Sequence, residues 1–144
     1  MYTPERYAVL EAIARGARSP EEISSTTGLS IEEVLKILSW LNAEGLVEKR
    51  IRGLIFKREV YEPTSKAWVR LDEWRDIAKR DLERAEKLRR AGMEEEADEI
   101  LSAYASILPF LLTLEIFSFL ALNEAMVSAD ITDLDNADFE GEVF

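Results

Sequence analysis

The charge of this chain divides at one point. All 18 Lys and Arg residues lie in residues 1–92, beside 16 of the 29 carboxylates, so that segment sums to +2. Residues 93–144 hold the other 13 carboxylates and no basic residue. Within this second segment, Ile100 to Leu122 carries one carboxylate, Glu115, among Ile107, Leu108, Phe110, Leu111, Leu112, Leu114, Ile116, Phe117, Phe119, Leu120 and Leu122. A helix that is apolar on every side is either buried by other elements or placed in a bilayer. The chain must therefore cover this stretch with its own balanced half, with a second copy of itself, or with lipid.

Lipid is the weakest of the three. Eleven large apolar residues contribute about −5 kcal/mol of insertion, and mid-span Glu115 alone returns about +3 kcal/mol. Ser106, Pro109, Thr113 and Ser118 remove most of the remainder, and Asn123 and Glu124 follow where a basic or aromatic anchor would stand. A span near 104–122, with the Lys/Arg bias placing the N-terminus in the cytoplasm, is the third choice. The expectation is a cytoplasmic protein. The opening Met1-Tyr2-Thr3-Pro4-Glu5-Arg6 lacks the apolar run of a signal peptide. There is no His and no Cys, which removes the usual general base, thiol nucleophiles, disulfides and nearly every zinc site. No acid–base pair or phosphate-cradling glycine loop stands out, so neither an enzyme nor a cofactor is expected. The absence of Gln, with only three Asn among many charges, is a composition typical of thermophiles.

The first third is punctuated by helix starts. Thr3 is an N-cap with Pro4 at the first helical position, and Tyr7, Leu10, Ile13 and Ala14 recur at helical spacing before Gly16. Ser19-Pro20-Glu21-Glu22 is a capping box opening a short helix that stops near Thr27-Gly28. Ser30 caps a third helix, whose apolar face is assigned to Ile31, Val34, Leu35, Leu38 and Leu41 and which ends at Gly45. Val47 to Ile51, a turn at Arg52-Gly53, and Leu54 to Tyr61 read as a β-hairpin.

Three helices with a glycine turn between the second and third, then a hairpin, resemble a winged helix-turn-helix domain over residues 3–64. The most specific stretch runs from Gly28-Leu29-Ser30, through Val34, Leu35 and Leu38, to Glu44-Gly45-Leu46-Val47. It resembles small prokaryotic regulators of the MarR and PadR kind, and is similar to winged-helix modules attached to archaeal aminoacyl-tRNA synthetases. The MarR/PadR resemblance implies duplex DNA bound by a homodimer, with the third helix in the major groove and the wing on the backbone.

On that reading Ser30, Lys36 and Ser39 of the third helix, and Lys49, Arg50, Arg52, Lys57 and Arg58 of the hairpin, are the DNA-binding candidates. The five cations are the usual phosphate contacts of a protruding hairpin. Two features pull the other way. Glu32 and Glu33 stand at the end of the helix that meets base edges, where they also favour the helix dipole. Trp40 falls on the outward face, where an indole seeks another element or another protein. The runner-up is a winged-helix adaptor that binds proteins and no nucleic acid.

Thr64 or Ser65 caps a helix reaching about Ala91, close to 39 Å long. Leu71, Trp74, Ala78, Ala85 and Leu88, flanked by Trp68, Ile77 and Leu82, form a coiled-coil-like stripe. Gly92 and the triplet Glu94-Glu95-Glu96 predict an antiparallel return. The returning helix should pass through the apolar stretch with a kink at Pro109, and a buried Glu115 would need a partner. The expected architecture is mainly α: a winged helix-turn-helix domain (1–64), a long helical hairpin that dimerises (65–127) and an acidic tail (128–144). Trp68, Leu71, Trp74, Leu108, Phe110, Leu112, Phe117 and Leu120 are assigned to the dimer core. The tail from Asp130 fails as a Ca²⁺ loop, because the position needing glycine holds Asp138, so no metal is expected. Its interspersed Ile131, Leu134, Phe139, Val143 and Phe144 suit a tail that lies on a protein surface and competes with DNA for the wing.

Overall fold

A computed structural model describes residues 1–122. The acidic tail assignment, 128–144, lies outside the described residues. The order of elements is α1 (Pro4–Ala14), α2 (Pro20–Thr27), α3 (Ile31–Ala43), β1 (Val47–Arg52), β2 (Arg58–Pro63), α4 (Ser65–Arg90), α5 (Glu94–Tyr104), α6 (Leu108–Leu112), a 3₁₀ turn (Glu115–Phe117) and α7 (Ser118–Leu122). Three helices followed by an antiparallel hairpin, then a long helix with an antiparallel return, is the mainly α architecture that the sequence predicts.

The helix starts are where the capping residues place them. Thr3 Oγ1 accepts from the Arg6 N–H at 3.0 Å, and Ser30 Oγ accepts from the Glu33 N–H at 3.1 Å. At Ser19 both halves of the capping box are present, and the Arg18 and Ser19 N–H donors hold the Glu22 carboxyl below the usual carboxylate range. Gly28 ends α2 at φ +87°. A side chain there would be strained, and its Cβ would stand 3.1 Å from the Ser106 carbonyl oxygen. One glycine therefore makes the turn of the helix-turn-helix and lets the α5–α6 turn approach it.

α1 is the centre of the molecule. Every residue from Tyr7 to Ile13 is buried, and the helix touches α2, α3, α4, α5 and β2. The Tyr61 N–H donates to the Arg18 carbonyl at 2.8 Å, which ties the base of the wing to the loop after α1. One apolar cluster runs from Tyr7, Leu10 and Ile13 through Leu38 and Leu41 to Leu71, Leu82, Tyr104, Ile107, Phe117 and Leu120.

A carboxylate sits inside this core. Glu11 is fully buried and accepts four hydrogen bonds: from Tyr7 Oη at 2.7 Å, Arg15 Nε at 2.9 Å, and the Arg75 guanidinium at 2.8 and 2.7 Å. Burial alone pushes its carboxyl up, but the bonds from Arg75, Tyr7 and Arg15 outweigh burial and hold it below the usual range. A forked Arg–carboxylate pair thus joins α1 to α4. A second polar link joins α4 to α5, where Tyr104 Oη donates to Asp81 Oδ2 at 2.7 Å and also meets the Tyr2 hydroxyl. Burial first, then the bonds to Tyr2 and Asp81, push the Tyr104 phenol well above its ordinary value.

The returning helix departs from expectation. It does not kink at Pro109: α5 ends at Tyr104, a turn follows, and α6 restarts with Pro109 in its first turn, where its missing N–H removes no internal bond. A second break at Thr113-Leu114 leads into the 3₁₀ turn. These breaks let short segments wrap the winged head, with Tyr7 and Phe117 rings 6.4 Å apart. Glu115 is exposed and requires no buried partner. Among the described residues no helix is long and apolar enough to cross a membrane.

The same wrapping changes the place of the residues assigned to a dimer core. Leu71, Trp74, Phe110, Phe117 and Leu120 are buried within the single chain, and Leu108 and Leu112 pack on the same core. Of the apolar stretch, Ile107, Phe110, Leu111, Leu114, Phe117 and Leu120 are buried within the chain, and Leu108, Leu112, Ile116 and Phe119 are half-buried. Trp68, at 49% exposure, is the one of the eight left on the surface.

Candidate nucleic-acid interface

α3 is held from behind by Val34, Ile37, Leu38 and Leu41. This stripe is rotated from the expected one: Ile37 is buried, while Ile31 and Leu35 are 43% and 46% exposed. The helix meets α1, α2 and β1 along the 3–4 row through 34, 37, 38 and 41, which leaves positions 31 and 35 one step round the helix toward solvent. Ile31, Leu35 and Ser39 then follow one another at i, i+4 along an exposed edge, beside Glu32 and Lys36. Ser30 is exposed at the N-cap with its hydroxyl engaged by the Glu33 N–H. Trp40 does not stand free. It stacks on Trp74 with centroids 6.3 Å apart, and the Arg6 guanidinium lies over it at 3.9 Å. The indole offered to a partner protein is half-buried within its own chain.

The wing is a two-stranded ribbon whose register pairs Lys49 with Tyr61, Arg50 with Val60, Ile51 with Glu59 and Arg52 with Arg58. Strand alternation puts Arg50, Arg52 and Arg58 on one face and Lys49 on the other. The sequence predicts a second strand from Leu54; it begins at Arg58. Pairing Arg52 with Arg58 leaves residues 53–57 as the tip, closed by Gly53 at φ +106°. Near the base the cations are matched by carboxylates: Lys49 with Glu59 at 3.5 Å, Arg50 with Glu48 at 2.7 Å and Glu62 at 3.3 Å, and Arg52 with Glu62 at 2.7 Å. The Arg52 bond holds the Glu62 carboxyl below its usual range. Toward the tip the matching stops. Among the described residues Lys57 and Arg58 make no ion pair, and residues 51–58 contain three cations and no carboxylate.

Like charges directly opposite one another weaken a strand pair. At the Arg52–Arg58 rung that repulsion is relieved on one side by Glu62, 2.7 Å from Arg52. Sequence reasoning found these cations but missed the apolar tip: Leu54, Ile55 and Phe56 are 95%, 83% and 88% exposed. Three apolar residues in a row read naturally as strand, and only the register shows them to be loop.

The chain carries a winged helix-turn-helix domain, a fold commonly used to bind DNA. The winged-helix family described as wHTH-PRTase associated matches residues 7–65, from the heart of α1 to the first residue of α4. No curated protein and no solved structure matches the chain.

Proposed function

We propose that this chain is a homodimeric DNA-binding transcriptional regulator of the MarR and PadR kind, with α3 over the major groove and the wing on the phosphate backbone. The observation that carries the reading is the Arg52–Arg58 rung with Lys57 beside it, a wing end where Arg52 is paired with Glu62 and, among the described residues, Lys57 and Arg58 make no ion pair. On α3, Ser39 and Lys36 supply polar contacts, and Ile31 and Leu35 are placed for thymine methyl groups. Two heads in a dimer suit half-sites about 34 Å apart, and the exposed Trp68 at the start of α4 supports a dimer contact there as part of this proposal. In this reading the protein acts in the cytoplasm by binding, without catalysis or cofactor. A second reading, a head that docks a protein such as a PRTase, is favoured by Glu32 and Glu33, which face solvent at the end of α3 nearest a phosphate.

Fluorescence anisotropy with a labelled duplex of about 30 bp over a salt series tests the proposal. Affinity should fall steeply with salt. Replacing Arg52, Lys57 and Arg58 together by Ala should reduce the log–log slope by about 2–3, near 0.9 for each phosphate that is no longer neutralised. No binding at about 50 mM salt refutes the regulator and leaves the docking role.

A further inference from the structure

The tip of the wing is out of place on any ordinary surface. Hairpin ends and edge strands are usually kept polar, because exposed apolar segments invite aggregation. Here Leu54, Ile55 and Phe56 stand almost fully in solvent, with Ile51 also exposed below them. The turn that carries them is tight at Gly53. A Cβ on Gly53 would collide with the Phe56 carbonyl oxygen, so the two ends of the tip are drawn together over a residue with no side chain. β1 is clear of the core from Glu48 to Arg52, while β2 is buried at Val60 and Tyr61, so the tip stands about 7 Å beyond the last buried rung, Arg50–Val60.

Around this apolar tip stand Arg52 on one strand and Lys57 and Arg58 on the other, with no carboxylate between residues 51 and 58. An apolar point between cations is complementary to a ligand whose interior is apolar and whose rims are anionic. A DNA minor groove has that construction: stacked bases between two rows of phosphates, about 6 Å wide and 7.5 Å deep. Proteins that bend DNA from the minor groove insert Phe, Leu, Ile or Met between base steps. A protein partner would meet the same apolar residues, but it would also have to match Lys57 and Arg58, which among the described residues make no ion pair.

We propose that Leu54-Ile55-Phe56 is a wedge that enters the minor groove and unstacks a base step, while Arg52, Lys57 and Arg58 hold the phosphates on either side. The proposal rests on the DNA-binding reading and adds to it that the wing deforms the duplex rather than only lying along its backbone. Flexible pyrimidine–purine steps, TA above all, are the expected points of entry.

The test uses the full chain and a duplex with 2-aminopurine at successive TA steps and a donor–acceptor pair at its ends. Wild-type protein should raise 2-aminopurine fluorescence and shorten the end-to-end distance. Leu54→Ser/Ile55→Ser/Phe56→Ser changes side chains outside the core, and circular dichroism checks its fold. It should keep the salt slope of wild type, lose both optical signals and bind about tenfold more weakly. The single Phe56→Ala variant should lose part of the 2-aminopurine signal. Duplex binding by wild type with neither signal, or unchanged signals in the triple variant, overturns the wedge while leaving DNA binding intact. No anisotropy change at low salt overturns the DNA-binding reading and the wedge with it. Cosedimentation with phosphatidylserine vesicles that the triple variant abolishes, with its duplex signals equal to wild type, assigns the tip to an anionic membrane surface and also overturns the wedge.

Discussion

Replacing Arg75 by Met removes two of the four hydrogen bonds to a carboxylate that has no access to water. Glu11 is fully buried, and Arg75 supplies its forked contact at 2.8 and 2.7 Å. What remains is the Tyr7 hydroxyl and Arg15, the latter a partly exposed neighbour on the same helix. Breaking one side of a buried pair costs about 3–5 kcal/mol, because the abandoned charge keeps its desolvation penalty. At roughly 3 °C per kcal/mol for a chain of this size, the melting temperature should fall by about 10 °C or more. The pH dependence gives an independent check. The Glu11 carboxyl is held below its ordinary value in the folded protein, so its contribution is complete above the unfolded carboxylate range and is lost as pH falls through the folded value. In Arg75→Met, burial is no longer outweighed to the same extent and the carboxyl rises. The gap between variant and wild type should therefore be widest near neutral pH and narrow as pH falls from the variant's raised value through the ordinary carboxylate range toward the wild-type value. Urea titrations at pH 7 and pH 4 measure it. Glu11→Leu combined with Arg75→Met should recover most of the loss, since an apolar replacement of both partners leaves no stranded charge. A loss under about 1 kcal/mol at neutral pH, or a gap that does not change with pH, refutes this account of the pair.

Three further outcomes are expected. Tyr104→Phe removes the donor to Asp81 and the neighbour of the Tyr2 hydroxyl, and urea unfolding should show a loss of about 1–2 kcal/mol. Gly28→Ala forces a side chain into left-handed backbone against the Ser106 carbonyl; a loss of about 1–2 kcal/mol is expected, with the α2–α3 turn losing amide protection in hydrogen exchange. Truncation after Val127 removes six carboxylates and no basic residue, and should tighten duplex binding most at low salt; equal affinity across the salt series would reject competition between tail and DNA.

The helix starts were legible because caps are local chemistry. Thr3, Ser19 and Ser30 satisfy N–H groups three residues away, and no tertiary information is needed to see it. The long helix was legible for a related reason: a Thr-Ser start, a Gly92 stop and an unbroken 3–4 stripe bound it within a residue of its ends. What escaped was decided at a distance. Glu11 interrupts an otherwise apolar helix, and its partner lies 64 residues away on α4. Pro109 signalled a disturbance but not its kind, because a kinked helix and a restarted one share the same sequence. The exposure of Ile31 and Leu35 depended on how α3 rolls against α1 and β1. At the wing, the cations were visible and their pairing was not: Lys49, Arg50 and Arg52 are matched by Glu48, Glu59 and Glu62, and the strand register had to be known before Lys57 and Arg58 stood out.

The position of α1 also has a consequence in time. It is the first helix of the chain, yet the partners that close over it include α4 and, more than a hundred residues after Tyr7, the ring of Phe117. A ribosome adding roughly 5–20 residues per second takes roughly 5–20 s to supply them. Until Phe117 arrives the nascent winged head displays an uncovered apolar flank, and until Arg75 arrives its carboxylate has Tyr7 and Arg15 alone. The head can take shape early, but its birth is completed only when the far end of the chain arrives, so the order of synthesis and the order of packing run in opposite directions.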